Sequence, residues 1–227
     1  MKCSADRLIE ALVAVQMLDY QKQQSEIVKQ PTKPVVVTVS RECGSMGAQV
    51  AQLLADDLEV RCCDRLILQE VASRAKVDED LVKALDQHVG NIGDHLWRKL
   101  LLKDTLSYEE YYQNLVKTIL SVSLTGGVII GRGANHILGE KAFRVRVTGS
   151  LNKCARFISD RDKVDMERAI EIARESNNER AEYIRKLYDA DINDPSHYDL
   201  VLNSDRFSHD QMVELILLAM EKSGFRN

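Results

Sequence analysis

The chain of 227 residues is poor in aromatics, at 5%, and holds one tryptophan, three prolines and eleven glycines. So little proline and glycine excludes collagen-like and low-complexity architectures. An excess of charge of one sign is also missing. The 31 lysines and arginines face 35 aspartates and glutamates, a net charge of −4. No bulk basicity is available for nucleic acid, and no nucleic-acid partner is expected; a basic function has to be local. The five cysteines, Cys3, Cys43, Cys62, Cys63 and Cys154, show no C-x-x-C spacing. An odd, scattered set fits neither a disulfide framework nor a structural zinc site. It suits a reducing compartment, so a cytoplasmic location is expected. No apolar run reaches the roughly 18 residues of a membrane span. The stretch from Leu8 to Leu18 is broken by Glu10 and Gln16, and it lacks the basic start of a secretory leader. No membrane partner is expected.

What is present can fold. At 44% hydrophobic and 29% charged, the chain can bury a real core. Residues 5 to 29 read as one amphipathic helix, with Ser4 as N-cap and Pro31 and Pro34 as its end. With its linker it forms an expected segment 1–33, able to pack on the body or on a second copy as a homodimer surface. The remainder, 34–227, reads as one domain.

That domain opens with Val35-Val36-Val37-Thr38-Val39-Ser40, a continuous β-branched run of the kind buried on both faces of a parallel sheet. Further strands are expected at Glu59–Cys63, Gly127–Gly131, Phe143–Thr148 and Asp199–Asn203. Helices are expected between them, at 65–75, 78–88, 94–122, 151–162, 165–190 and 208–222. Strands alternating with helices predict an α/β fold with a five-stranded parallel sheet. The stretch 65–125 exceeds one crossover and reads as a helical insertion.

Three features carry candidate chemistry. The first is Arg41-Glu42-Cys43-Gly44-Ser45-Met46-Gly47-Ala48-Gln49, a glycine turn between the first strand and a helix. Backbone N–H groups and a helix N-terminus bind phosphate at such turns. Against the pattern GxxxxGK[ST], Glu42 holds the first glycine position, Ala48 the lysine and Gln49 the Ser/Thr. The loop therefore lacks both the lysine for the terminal phosphates and the hydroxyl for Mg²⁺, and a plain βα turn is the competing reading. The second is Gly131-Arg132-Gly133 after Val128-Ile129-Ile130, which aims a guanidinium into the crevice at the strand ends. The third is an arginine-rich helical stretch, 152–190, with Arg156, Arg161, Arg168, Arg174, Arg180 and Arg185. Acidic neighbours pair with many of these, but mobile arginines over a phosphate site suit phosphoryl transfer.

Taken together, Ser40-Arg41-Glu42-x-Gly44-Ser45-x-Gly47, Cys63-Asp64-Arg65-x-Ile67, Gly127-Val-Ile-Ile-Gly-Arg-Gly-Ala-Asn135, Arg180-Ala-Glu-Tyr183, Asp194-Pro195 and Tyr198-Asp-Leu-Val-Leu-Asn203 resemble the cytidylate kinase-like family of P-loop nucleoside monophosphate kinases. The resemblance covers roughly residues 35 to 222. It implies a P-loop NTPase-type three-layer fold with a helical acceptor region at 65–125 and a lid at 152–190. It implies ATP and Mg²⁺, with CMP or dCMP as the default acceptor. Residues 41–49, among them Gly44, Ser45, Met46, Gly47, Ala48 and Gln49, would hold the ATP phosphates. Asp64 and Arg132 would hold the acceptor. Arg41, Arg156, Arg161 and Arg180 would act on the transferring group, with Arg41 as the candidate substitute for the missing lysine. The sequence identifies no metal ligands. Family members carry Gly where Met46 stands, often a basic residue at position 48, and in well-characterised members an aspartate at position 133. A nucleotide-binding relative with little or no catalysis, acting as a sensor or on a partner protein, is the alternative.

Overall fold

The computed structural model describes residues 34–64 and 108–225. The expected N-terminal helix, the helices at 65–75 and 78–88, and the start of the 94–122 helix lie outside these residues, as does most of the acceptor region.

Five parallel strands form one sheet in the order β2-β3-β1-β4-β5. Strand β1 (Val36–Arg41) lies at the centre, flanked by β3 (Gly127–Ile130) and β4 (Phe143–Thr148). Its β-branched run suits that place, since both faces are covered and Val36, Val37 and Val39 are buried. In register, Val37 stands beside Val128 and Phe143, and Ser40 beside Arg146. The edges are β2 (Cys62–Cys63) and β5 (Leu200–Asn203). Since β1 has later strands on both sides, its C-terminal end is the switch point of the sheet, where such folds form a crevice.

One face packs on α1 (Gly47–Asp57) and on α6 (His209–Lys222). Val37, Val39, Val128, Val145 and Val147 meet Val50, Leu54, Met212, Ile216 and Met220 there, all buried. Each such side chain contributes about 1.5–3 kcal/mol relative to exposure. Helix α6 is started by a capping box, with the Ser208 hydroxyl accepting from Gln211 N and the Gln211 side chain accepting from Ser208 N. Two further helices pack on the sheet and on each other, α2 (Tyr108–Thr125) against β3 and the short α3 (Ala134–Leu138) against β1.

Helices α4 (Leu151–Asp162) and α5 (Met166–Tyr188) form a hairpin. Asp165 caps α5 by accepting from Arg168 N at 2.8 Å. Ala155, Ile158, Ala169 and Ala173 make a small core of their own between the two helices. Alanines let the helices approach closely but bury little area, so the hairpin is held less firmly than the body.

The second strand is shorter than the sequence pattern predicts. Glu59 and Val60 are consumed in ending α1: Glu59 takes φ 53°, its N–H donates to Asp56 O at 3.1 Å, and Val60 N donates to Ala55 O at 2.9 Å. This is a Schellman ending built on a non-glycine residue, which no composition cue marks.

Candidate active site

The glycine loop after β1 is held closed by its own polar groups. The Ser45 hydroxyl, 0% exposed, lies 3.0 Å from Glu42 O and 3.1 Å from Val147 O. It is spent on the loop and faces no ligand. Glu42, at the position where glycine was sought, accepts from Gly149 N at 2.9 Å and so ties the loop to the end of β4. Gly44 has φ 81°, and a Cβ there would fall 2.8 Å from the carbonyl carbon of Cys154, so only glycine lets α4 come this close. Met46 caps α1 at φ 61°. The position therefore does require the left-handed conformation in which a side chain is strained. Ala48 and Gln49 are exposed on the first turn of α1, where they offer neither a cation nor a hydroxyl.

A cavity of about 100 Å³ opens at the C-terminal ends of β1 and β3. Arg41, Arg132 and Arg180 line it, with Asp64 as the one carboxylate among its described lining residues. The stem of Arg41 crosses the N-terminus of α1, 2.5 Å from where a Cβ on Gly47 would lie. Its guanidinium then reaches Gly131 and stands 3.7 Å from Asp64. Arg180 descends from α5 and donates to the Arg41 carbonyl at 2.8 Å. Burial, and beyond it the positive charges of Arg146 and Arg132, pushes the Arg180 pKa down from the ordinary arginine value. Guanidinium groups crowded in this way favour an anion among them.

Arg132 is aimed by an unusual turn. Gly131, Arg132 and Gly133 have φ of 72°, 58° and 68°. A left-handed non-glycine residue costs on the order of 1–3 kcal/mol and is characteristic of sites where direction matters. Tyr188, the last residue of α5, lies against Gly133 and donates to the Arg132 carbonyl at 2.7 Å. The Tyr183 ring lies 5.8 Å from the Arg132 guanidinium carbon. His136 stacks on Tyr188 at 5.0 Å, and burial, with His197 and Arg144 adding, pushes its pKa down to about 4. The imidazole is neutral and serves as packing for this turn.

The structure brings Arg41, Asp64, Arg132 and Arg180 together. It leaves Arg156 and Arg161 elsewhere on α4, outside the residues that line this cavity. Arg161 is paired to Asp162 at 2.7 Å, and Arg156 is exposed. The sequence pattern assigns no role to Arg146, Asn177, Tyr183 or Tyr188, of which Tyr183 stands only inside a quoted motif; Tyr183 lines this cavity, Tyr188 holds its turn, and Arg146 and Asn177 lie beside the glycine loop. Only the strand period could have hinted at Arg146, which like Arg144 alternates with the buried valines of β4.

No group of three or more His, Cys, Asp or Glu among the described residues could hold a metal ion. With Ser45 turned inward and Asp64 beside Arg41, these residues do not fit a protein-held Mg²⁺. Among the described residues, no helix is long and apolar enough to cross a membrane.

A profile of the cytidylate kinase-like family matches residues 36–206. Cytidylate kinase of Methanoculleus marisnigri is 32% identical over 89 residues, 39% of this chain and 49% of that protein. Cytidylate kinase of Natronomonas pharaonis is 37% identical over 84 residues, 37% of this chain and 44% of that protein. The match thus spans about half the length of these curated relatives. Among solved structures, an uncharacterized protein from Eubacterium ventriosum superimposes with a TM-score of 0.63 at 18% identity, over 82% of this chain and 98% of that one. At that identity the likeness is one of fold.

Proposed function

Since the chain belongs to the cytidylate kinase-like family, we propose that it is a nucleotide kinase that moves the terminal phosphoryl group of ATP to the phosphate of a nucleoside monophosphate, with CMP or dCMP as acceptor. The observation that carries this reading is the convergence of Arg41, Arg132 and Arg180 with Asp64 in one crevice beside the glycine loop. Such a transfer needs little covalent chemistry from the protein. It needs two phosphates brought into line and their charge neutralised.

In this reading Arg132 grips the acceptor phosphate, and the left-handed turn fixes its aim. Asp64 orients Arg41 and borders the acceptor. Arg41 reaches from the loop toward the acceptor side and spans the path between the two phosphates. Arg180 arrives with the lid and meets the transferring group. The loop from Gly44 to Gln49 presents backbone N–H groups to the donor. Mg²⁺ belongs to this reading only as the metal carried by ATP. Arg156 and Arg161 would have to swing inward to take part. The segment 1–33 is a proposed packing or dimer element outside the kinase domain.

A coupled ADP-release assay with MgATP and CMP, dCMP, UMP, AMP and GMP tests the proposal. Turnover with a pyrimidine monophosphate, lost by on the order of 10²-fold or more in Arg132→Ala, is the expected result. Absence of turnover across the panel would overturn it.

The exposed Ala48 and Gln49 favour a second reading, a nucleotide-binding protein with little or no catalysis. Nucleotide binding that is indifferent to Mg²⁺, without turnover, would select it.

A further inference from the structure

The sheet carries a buried arginine that the reading above leaves unused. Along β4, Val145 and Val147 face the core shared with α1 and α6, so Arg144 and Arg146 emerge on the other face. Arg144 is accounted for by a bidentate pair with Asp199, at 2.6 and 3.1 Å. Arg146 is different. It is 4% exposed and its hydrogen bonds go to neutral acceptors, Ser40 Oγ at 2.9 Å and Asn193 Oδ1 at 2.8 Å. The carboxylate paired with it, Glu42, stands 3.9 Å away, beyond hydrogen-bond reach, while accepting from Gly149 N. Taking a cation out of water is costly unless an anion engages it closely. Arg146 is thus buried with an under-engaged counter-charge.

Its surroundings show where an anion would go. Arg146 borders a second cavity of about 120 Å³, shared with Arg41, Glu42, Asn177, Arg180 and Asn193. This cavity touches the glycine loop, for Asn177 Oδ1 accepts the N–H of Cys43 at 2.8 Å. A carboxamide oxygen already sits there on a loop amide, the kind of group that phosphate oxygens take in such loops. Arg41 and Arg180 line both cavities, one on the acceptor side with Arg132 and one on the loop side with Arg146.

We infer that Arg146 is a binding residue for the terminal phosphates of the nucleoside triphosphate donor, supplying from β4 the fixed cation that Ala48 does not provide. The inference rests on the kinase reading above. A planar guanidinium at the floor of the loop-side cavity can donate two parallel hydrogen bonds to a phosphate. Arg41, whose guanidinium is drawn toward Gly131 and Asp64, is left to bridge donor and acceptor.

Titration calorimetry on the full chain tests this, with MgATP, inorganic tripolyphosphate and CMP as separate ligands. In Arg146→Gln, affinity for MgATP and tripolyphosphate should fall about tenfold or more, with CMP affinity within twofold of the parent. Arg146→Lys should recover part of the loss. Equal losses for MgATP and CMP, or unchanged MgATP binding, would make Arg146 a strut between β1 and the 193 loop and overturn the inference alone. Should Arg146→Gln lack a cooperative thermal transition, Arg146→Lys decides. It keeps the charge but loses the planar fork, so MgATP affinity should still fall about threefold or more with CMP unaffected, and no change overturns the inference. Failure of the parent chain to bind MgATP or tripolyphosphate would overturn the kinase reading, and this inference with it.

Discussion

Tyr188 donates its hydroxyl to the backbone carbonyl of Arg132 across 2.7 Å, while its ring rests on Gly133. The end of α5 therefore holds the backbone of the arginine that enters the crevice. In the proposed kinase reading, lid position and acceptor grip are thereby coupled through one side chain. Tyr188→Phe removes the hydrogen bond and keeps the ring, a loss of about 1 kcal/mol. It should lower the melting temperature by about 2–4 °C and, by loosening the Arg132 turn, weaken acceptor affinity about three- to tenfold, measured by a melting curve and by calorimetry with CMP.

Gly133→Ala is a harsher test of the same contact. The new methyl would collide with the Tyr188 ring at a φ of 68°. Strain and displacement together should cost about 2 kcal/mol or more. The melting temperature should fall by about 4–8 °C, and acceptor binding should fall with it.

The inward Ser45 hydroxyl makes a structural prediction. Ser45→Ala removes the side-chain contacts to Glu42 O and Val147 O. It should cost about 1 kcal/mol of stability, seen as a fall of about 2–4 °C in melting temperature. A hydroxyl used instead on a ligand would leave the melting temperature of the free protein unchanged and lower nucleotide affinity.

Glu179, on α5, has an oxygen buried without a hydrogen-bond partner. Burial, with Glu175 adding, pushes its pKa up to about 7. The sign follows from linkage. The folded state holds the proton more tightly than the unfolded one, so this group's contribution is full below about pH 4.5 and is lost as pH rises through about 7. Glu179→Gln should therefore raise the melting temperature at pH 8 by about 2–4 °C, and the gain should vanish near pH 4.5. A pH-independent gain would place its cause elsewhere.

The contact of α5 with the glycine loop can be read by hydrogen exchange. Cys43 N–H is protected by Asn177 Oδ1, 134 residues away. Asn177→Ala should speed exchange at Cys43 by about tenfold or more while leaving amides of β1 unchanged. Equal speeding at both would mean that the variant loosened the whole body.

Much of this was legible along the chain because it is local. The β-branched run at 35–40 specified a strand buried on both faces, and it became the centre of a parallel sheet. The apolar period at 151–162 gave a helix at Leu151–Asp162. Gly-Arg-Gly after a buried strand put Arg132 at the strand's C-terminal end, because chain direction alone decides which end of a parallel strand opens on the crevice. The motifs also carried the resemblance that the family match over residues 36–206 bears out.

What the pattern could not give depends on chain returning from far away. Six arginines between 156 and 185 look alike in sequence, yet of these only Arg180 lines the crevice, where it donates to Arg41 O. The burial of Arg146 follows from what covers β4. The left-handed turn at 131–133 is held by Tyr188, 56 residues later. The sequence by itself determined the order of elements and the chemistry on offer at each strand end, because those follow from nearest neighbours and period. The tertiary structure alone decided which side chains meet, because that is set by how the α4–α5 hairpin folds back over the sheet.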